Sequence, residues 1–431
     1  MCTALVVGNM IGSGIFLLPA ALAPFGGISI FGWLFTSIGA VLLALVFGRL
    51  SRIAPQAGGP YAYTRRGFGD LAAFLVAWGY WISVWVGNAA IAVAFTSYVG
   101  FLWPPLAETP AAAASVALAA IWILTGVNAL GVREAGLVQL ATTVLKLVPL
   151  IAIGIVGLFF LDTSNFVPFN ASGSSSLAAI TATATLTLWA LTGLESATIP
   201  ADHVRDPERT IPRATVTGTL FTATIYIFAT VAVMGLIPPS VLARSGAPFA
   251  EAASALWGGW AAYAVAVGAA ISCFGALNGW ILMQGQVPLA AARDGLFPRI
   301  FGRLSKKKTP AIGMVVSSGL ATALLLMNFT RGLVGLFTFA ILLATLTVLV
   351  PYVMSAMAEL MIFIRERERF AGERLLGSAV IALLAFIYSM WAIAGAGRDA
   401  VYWGALLLAA GLPVYVWITW RGGAGGAGGR G

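Results

Sequence analysis

Charged residues are scarce in this sequence. Asp, Glu, Lys and Arg together make up 9% of its 431 residues, whereas hydrophobic residues make up 60%. A soluble domain carries about 25% charged residues, so this chain cannot cover a water-facing surface. The composition therefore predicts an integral membrane protein. Its apolar runs have the length of helices and lack the alternation of the ~10-residue strands of a membrane barrel.

Histidine and cysteine are also rare. The chain has one histidine, His203, and two cysteines, Cys2 and Cys273, both within apolar runs. This set offers no metal-ligand spacing and no nucleophile–base pair, so we expect no metal site, no cofactor and no enzyme. His203 lies beside Asp202 and Asp206, where it is either a solvated loop residue or a proton relay.

Apolar runs of about 20 residues predict membrane-spanning helices. Twelve such runs lie at residues 3–23, 28–50, 69–101, 111–130, 135–161, 177–201, 212–237, 258–292, 311–328, 332–360, 375–396 and 400–420. The sequence thus predicts an all-α, twelve-helix protein embedded in the lipid bilayer.

Positively charged residues are unevenly distributed among the loops that connect the predicted helices. All but four of the 24 Lys and Arg residues fall in alternate connections or in the tail, the exceptions being Lys146, Arg244, Arg331 and Arg398. The positive-inside rule then predicts cytoplasmic termini and, for a bacterial chain, the inner membrane. The net charge of +9 therefore reflects which loops face the cytoplasm. The alternative is that the basic residues bind lipid headgroups. We expect no nucleic-acid partner.

The first apolar run contains an unusual cluster of small and polar residues. Residues 8–19 place Gly8, Gly12 and Gly14 around Asn9 and Ser13. Glycine costs about 1 kcal/mol in a helix interior, and small polar side chains compete for backbone hydrogen bonds. The pattern predicts an interrupted helix, which a membrane tolerates only where the backbone lines a cavity or is buried in protein.

The sixth run carries a second cluster of this kind. Within residues 189–197, Thr192 and Gly193 precede Glu195, an ionisable residue in mid-membrane that needs a partner or a function. Paired interruptions in two halves of a chain indicate a transporter site, with freed amides facing an anionic group such as a carboxylate. The alternative is a pair of small-residue helix interfaces.

Four segments carry a resemblance to a known family. Residues 8–19, 58–63, 193–197 and 294–298 resemble the amino acid–polyamine–organocation permeases, and within them the basic amino acid/polyamine antiporters that exchange arginine for agmatine. The resemblance covers essentially the whole chain. It implies the leucine-transporter-type fold, with inverted repeats in 1–161 and 177–360, extra helices in 375–420, a flexible Gly-rich tail in 421–431, and commonly a homodimer.

The resemblance also implies a set of substrate-binding residues. The amino acid head would be held by Asn9, Ile11, Gly12, Ser13, Gly14, Trp189, Leu191 and Thr192. The side-chain end would be held by Tyr80, Ser83, Val84, Asn88, Trp280 and Ala344. Asn88 would reach the distal cation and Trp280 would offer a cation–π face. The plainer alternatives are a helix–helix hydrogen bond for Asn88 and core packing for both tryptophans.

Several positions differ from those antiporters. Ser83, Val84, Ile91, Thr192 and Ala344 replace other residues there, so the side-chain selectivity stays open. Lys146 also differs; the resemblance places its ammonium where related transporters bind sodium, which argues for sodium independence. Lys146 is either a permanently charged structural residue or a group that changes its protonation state during transport.

The remaining implied residues concern gating. Glu195 would couple substrate binding to gating or carry a proton, Phe337 and Tyr61 would belong to gates, and Tyr352 shares a helix face with Phe337. The sequence thus predicts a sodium-independent exchanger of a cationic amino acid, arginine-like, for its agmatine-like amine. The alternative is a proton-coupled neutral amino acid permease. A channel is disfavoured because interrupted helices favour an occluded site.

Overall fold

The computed structural model describes residues 2–12, 14–53, 59–106, 108–131, 135–198, 204, 206–366, 368 and 375–426, with the backbone alone for residues 2, 4, 5, 135–145, 197 and 421–426. Every regular element in these ranges is helical. This agrees with the all-α prediction.

Eight α-helices lie in the described residues of the first half of the chain. They are α1 (Cys2–Met10), α2 (Gly14–Leu22), α3 (Ser29–Ile53), α4 (Pro60–Phe68), α5 (Asp70–Leu102), α6 (Pro110–Leu130), α7 (Ala135–Val156) and α8 (Ser176–Leu191). Nine more follow in the second half. They are α9 (Pro207–Leu236), α10 (Pro239–Leu242), α11 (Pro248–Trp257), α12 (Gly259–Arg293), α13 (Ala311–Asn328), α14 (Gly332–Arg365), α15 (Leu376–Gly395), α16 (Arg398–Ala409) and α17 (Gly411–Gly426).

Eight stretches of the described residues are long and apolar enough to cross a membrane. They are Gly14–Ile53, Asp70–Leu102, Pro110–Leu130, Pro207–Leu236, Gly259–Arg293, Ala311–Arg365, Leu376–Gly395 and Arg398–Trp420. The first holds both α2 and α3, and the sixth holds both α13 and α14. Two shorter apolar helices span Lys146–Phe160 and Ser176–Leu191. The chain is thus a multi-pass membrane protein by length and composition, and the count of twelve stays a prediction.

Three parts of the structure differ from the helix boundaries that the sequence predicts. The connection between the predicted helices 28–50 and 69–101 contains a helix of its own, α4, which Pro60 opens after Gly59 takes a φ of 52°. Two short helices, α10 and α11, occupy the connection before α12. Helix α17 continues to Gly426, so the Gly-rich tail is helical up to that residue, and residues 427–431 lie outside the described part.

Helix α5 forms the centre of the bundle. Of its most apolar 18-residue window, 89% is buried, against 11% for the window in Arg398–Trp420. It packs along α12 and α14, while α3 packs against α8 and α9 on another side of the bundle. A helix that is apolar all round belongs in such a position, so its few polar side chains face other helices and not lipid.

Candidate functional site

The first apolar run is interrupted where the sequence predicts. Helix α1 ends at Met10 and α2 begins at Gly14, with bent backbone at Ile11 and Gly12. A helix end leaves backbone carbonyls without partners inside the helix. Here Lys146 Nζ donates to Gly8 O at 2.6 Å. Tyr226 Oη, from α9, donates to Met10 O at 2.8 Å.

The second interruption follows α8. Helix α8 ends at Leu191, Thr192 is extended, and Gly193 takes a φ of 95°, a left-handed conformation that favours glycine. The Thr192 hydroxyl donates to Trp189 O at 2.7 Å. A Cβ added to Gly193 would lie 3.6 Å from the carbonyl carbon of Asn9. The two interruptions therefore lie side by side, as expected for the two parts of one site.

A cavity lies between the two interruptions. Ten of the predicted residues line it: Asn9, Gly12, Gly14, Tyr80, Ser83, Val84, Trp189, Thr192, Glu195 and Trp280. Met10, Gly87, Ile91 and Val348 line it as well. The cavity volume is about 40 Å³, which is room for roughly three water molecules. A larger molecule would have to displace side chains of the lining.

Gly87 allows α5 to approach the indole of Trp189. A Cβ at this position would stand 2.6 Å from Trp189 Cη2, so any side chain would push the indole out of its place. Gly87 and Ile91 follow Tyr80, Ser83 and Val84 at helical spacing, and this periodicity is the signal that identifies them. Met10 lies inside the glycine-rich cluster itself.

Three predicted residues do not line the cavity. Ile11, Leu191 and Ala344 are fully buried and pack away from it. Val348 lies one turn beyond Ala344 on the same face of α14 and takes its place in the lining. The role of Ala344 in substrate binding stays a prediction. Ser13 and His203 lie outside the described residues.

Glu195 is fully buried and is held by two tyrosines. Tyr80 Oη, from α5, donates to Glu195 Oε1 at 2.9 Å. Tyr352 Oη, from α14, donates to Glu195 Oε2 at 2.6 Å. A buried carboxylate needs such donors, because leaving it without them costs a large desolvation penalty. The arrangement connects the second interruption to two long helices.

The two interruptions thus enclose a cavity inside the helix bundle, and comparison with known proteins gives the family of the chain. A family model of amino acid permeases matches residues 2–419. The chain belongs to the amino acid permease family. This confirms the resemblance to the amino acid–polyamine–organocation permeases.

Named relatives of the permease include several antiporters. The cadaverine/lysine antiporter of Escherichia coli strain K12 is 38% identical over 81% of this chain and 80% of its own length. The putrescine transporter PotE of Haemophilus influenzae is 32% identical over 97% and 96% of the two chains. The putative arginine/ornithine antiporter of Bacillus subtilis is 33% identical over 97% and 96%.

A second cavity of the permease borders the first. It has a volume of about 190 Å³ and lies between α4, α5 and α12. Tyr80 lines both cavities, so its side chain stands between them. Tyr61 lines the second cavity, and its hydroxyl donates to Asp294 Oδ2 at 2.8 Å. Burial and this hydrogen bond raise the pKa of Tyr61 above its usual range.

Two further predicted residues of the permease are not in the lining of the central cavity. Phe337 is fully buried in α14 and lines neither of the two cavities. Asn88 is buried in α5, and its amide nitrogen donates to Gln284 Oε1 on α12 at 2.7 Å. The plainer interpretation, a hydrogen bond between helices, therefore accounts for the nitrogen of Asn88. Gln284 carries no sequence signal of its own beyond being polar in an apolar run.

Proposed function

We propose that this permease exchanges a cationic amino acid, arginine-like, for its decarboxylated, agmatine-like amine by alternating access and without sodium. The observation that carries the proposal is the cavity between the two interruptions. It combines the N-terminal residue of α2, two indoles and a single carboxylate among its lining residues. The relatives support it, since their names pair lysine with cadaverine, name putrescine, or pair arginine with ornithine.

The amino acid head would be bound at the interruptions. Helix α2 begins at Gly14 on the cavity wall, and the amides of a helix N-terminus attract a carboxylate. On the other side, helix α8 ends at Leu191, and the backbone carbonyls at this helix end would receive an ammonium group. An amine lacks the carboxylate and would use only the second half of this arrangement. Both exchange partners therefore fit one site.

The cationic end of the substrate side chain would lie against the indole of Trp280. Trp280 lines the cavity, and a desolvated cation–π contact contributes about 2 kcal/mol or more. Glu195 is the one carboxylate in the lining, but both of its oxygens already accept from tyrosines. The site would thus recognise the cation without a free carboxylate. A substrate cation that forms no ion pair with a carboxylate can be released as well as bound.

Lys146 would replace a sodium ion. Its ammonium lies 2.6 Å from the Gly8 carbonyl, at the end of α1 where a sodium ion would otherwise accept such a carbonyl as a ligand. A fixed positive charge at this point stabilises the interrupted backbone in every step of the cycle. We therefore infer that transport needs no sodium gradient.

Glu195 and its tyrosines would couple binding to opening. Because Tyr80 lines both cavities and donates to Glu195, a substrate that displaces the Tyr80 side chain would break this hydrogen bond and release Tyr80. The release would join the cavities into one path. The small volume of the central cavity requires a movement of this kind before a substrate can fit.

The topology would follow the positive-inside rule. The end of the bundle that holds Arg49, Arg65 and Arg66 would face the cytoplasm of the cell, with both termini on that side and the chain in the inner membrane. Repeats in residues 1–161 and 177–360 would be inverted copies, each opening with an interrupted helix. Helices in 375–420 would complete a total of twelve.

A second candidate function is proton-coupled transport of neutral amino acids. Four apolar side chains in the lining favour it: Met10, Val84, Ile91 and Val348. They would suit an aliphatic side chain as well as the stem of lysine or arginine. The choice between the two functions depends on whether the distal cation contributes to binding.

Counterflow in proteoliposomes tests the exchange. Vesicles loaded with agmatine, cadaverine or putrescine should take up labelled arginine, lysine or ornithine faster than empty vesicles, in choline as well as in sodium buffer. Equal uptake by loaded and empty vesicles would contradict exchange. Competition by neutral amino acids as strong as that by cationic ones would favour the second candidate function.

A matched pair of tryptophan variants tests the cation contact. Trp280→Leu should weaken cationic substrates by about tenfold, since a cation–π contact of ~1–2 kcal/mol is lost, and should weaken neutral ones less. Trp403→Leu changes an exposed tryptophan on α16, outside the cavity, and should leave both unchanged. An equal loss for cationic and neutral substrates in the first variant would contradict the assignment.

A further inference from the structure

A third cavity lies at the end of the bundle where α14 and α16 begin. Its volume is about 520 Å³, which is larger than that of either cavity described above. It is lined by the end of α2 and the turn after it, by the first turns of α14 and by the connection between α15 and α16. None of its lining residues lines the central cavity. The space is therefore separate from the candidate substrate site.

Two guanidinium groups line this third cavity. Arg331 directly precedes α14, and Arg398 is the first residue of α16. Neither guanidinium lies within salt-bridge distance of a carboxylate in the part of the chain that the structure describes. Asp399 is the only acidic residue in the described lining, which therefore carries one more positive than negative charge. A cavity of this charge attracts an anion.

Arg331 lies against an apolar wall of the cavity. Its guanidinium carbon is 4.4 Å from the centroid of the Phe339 ring, two turns further along α14. An arginine in such a cation–π contact keeps N–H groups that can donate to an acceptor. Phe339 lines the cavity itself, as do Phe25 and Leu342. The cavity thus combines hydrogen-bond donors with apolar surface, and this combination suits an anion with an apolar part.

The arginines of this end run against the charge distribution of the chain. Arg244, Arg331 and Arg398 are three of the four basic residues that lie outside the Lys- and Arg-rich connections and the tail. Positive charge in the other connections opposes the orientation that the rest of the chain favours. Two of the three line one cavity, and the third follows Ala243, which lines it too. Their convergence therefore has a reason other than topology.

The cavity lies at the depth of lipid headgroups. The apolar stretch Arg398–Trp420, which is long enough to cross a membrane, begins at the edge of the cavity. Tyr402 and Trp403 follow Arg398 by about one turn, and both are exposed. Tyr and Trp are enriched at the membrane–water interface, where their polar atoms reach the headgroups. A phospholipid with a net negative charge fits this depth, the charge and the apolar wall together.

We propose that this cavity binds an anionic phospholipid. Its phosphate accepts hydrogen bonds from Arg331 and Arg398, and its acyl chain lies against Phe25, Phe339 and Leu342. Guanidinium and phosphate match in geometry, since two N–H groups can donate to two oxygens. The lipid would connect the end of α2 with the beginnings of α14 and α16. Because such a ligand binds the folded protein and not the unfolded chain, it should stabilise the protein, whatever substrate is transported.

Titration of the purified protein with lipid in a neutral detergent tests this binding. Phosphatidylglycerol is the probe, phosphatidylcholine is the control without net charge, and inorganic phosphate is the control without an acyl chain. Thermal unfolding measures the stabilisation, and native mass spectrometry measures the apparent Kd of the lipids. Phosphatidylglycerol should stabilise the unaltered protein, and the two controls should stabilise it less.

A matched set of variants locates the lipid. Arg331→Gln/Arg398→Gln should raise the Kd of phosphatidylglycerol by about tenfold or more, because hydrogen bonds to a charged group are lost. Arg244→Gln removes an arginine outside the described lining, so it should change the Kd by less than about twofold. Val334→Trp keeps both arginines but adds volume to the lining, and it should also weaken binding of the lipid.

Four results would overturn the inference. Equal Kd values in Arg244→Gln and in the double variant would mean that surface charge in general attracts the lipid. Equal binding of phosphatidylcholine would exclude recognition of the anion. Equal stabilisation by inorganic phosphate would exclude a contribution of the acyl chain. If the double variant does not fold, Val334→Trp decides, since an unchanged Kd in this variant would place the lipid elsewhere.

Discussion

The two ends of the helix bundle are closed by different kinds of contact. At the end where α5 finishes, Phe16 of α2, Tyr98 of α5 and Phe249 of α11 are fully buried together. The rings of Tyr98 and Phe249 each lie 5.7 Å from that of Phe16, edge to face. Tyr98 Oη donates to Phe16 O at 2.9 Å and accepts from the Phe249 amide at 3.4 Å. We call this the aromatic end.

The opposite end, where α5 begins, is closed by charges, and we call it the basic end. Arg49 of α3 binds both carboxylate oxygens of Glu359 on α14. Arg66 of α4 donates to Glu366 at 2.7 Å. Arg65 pairs with Asp70 at 2.9 Å, and both of these side chains are more than a third exposed. The second cavity also lies at this end, beside Tyr61.

This difference predicts that the two ends respond differently to salt. Packing and neutral hydrogen bonds at the aromatic end are not screened by salt, whereas exposed charge pairs are worth about 0–1 kcal/mol and weaken with ionic strength. The second cavity borders the central cavity on the side of the basic end, and Tyr80 lines both cavities. We therefore expect salt and pH to act on the basic end first, except at the Arg49–Glu359 pair, whose carboxylate is fully buried.

The largest effect should come from that buried pair. Arg49→Met leaves the carboxylate of Glu359, which is fully buried, without its partner. Breaking a buried pair in this way costs about 3–5 kcal/mol, because the remaining charge is uncompensated. Thermal unfolding in detergent should show the loss. The double variant Arg49→Leu/Glu359→Leu should recover much of the stability, and equal losses in single and double variants would contradict the explanation.

A matched pair of tyrosines compares the two ends directly. Tyr98→Phe leaves the Phe249 amide without an acceptor at the aromatic end, which should cost about 1–3 kcal/mol and be independent of salt. Tyr61→Phe removes a hydrogen bond to the partly exposed Asp294, so we expect about 1 kcal/mol or less. Unfolding at low and high ionic strength measures both. A larger loss for Tyr61→Phe would reverse the comparison.

The features that depend on local sequence were predictable. Both interruptions follow from glycine and small polar residues inside apolar runs, because these residues weaken a helix wherever they occur. The face of α5 that lines the cavity follows from helical periodicity, which identifies Tyr80 and Val84 together with Gly87 and Ile91. Such signals need no knowledge of the neighbouring helices.

The features that depend on packing were not predictable. Tyr226 satisfies the carbonyl of Met10 from 216 residues away, and no local pattern indicates that contact. Val348 instead of Ala344 lines the cavity because the depth of α14 is set by its packing against α5, whereas periodicity defines only a face. The partner of Asn88 likewise depends on how α12 lies beside α5.

The smallest effect we expect is a pH dependence at the aromatic end. Glu251 lies in α11 two residues after Phe249, and the hydroxyl of Ser245 donates to its carboxylate at 2.6 Å. Burial raises the pKa of Glu251 above its usual range, only partly offset by this hydrogen bond. A raised folded-state pKa stabilises fully below the unfolded value of about 4.3 and is lost as the pH rises through the folded-state pKa.

Unfolding of the protein and of Glu251→Gln, compared across pH at constant ionic strength, measures this contribution. The unaltered protein should lose stability relative to the variant as the pH rises from about 4. Asp162 is a control of opposite sign, since the hydrogen bonds from Ser164 lower its pKa and its contribution is lost as the pH falls. If the stability of Glu251→Gln and that of the unaltered protein change alike with pH, Glu251 does not contribute a pH dependence at the aromatic end. The aromatic end would then differ from the charged basic end more strongly than we describe.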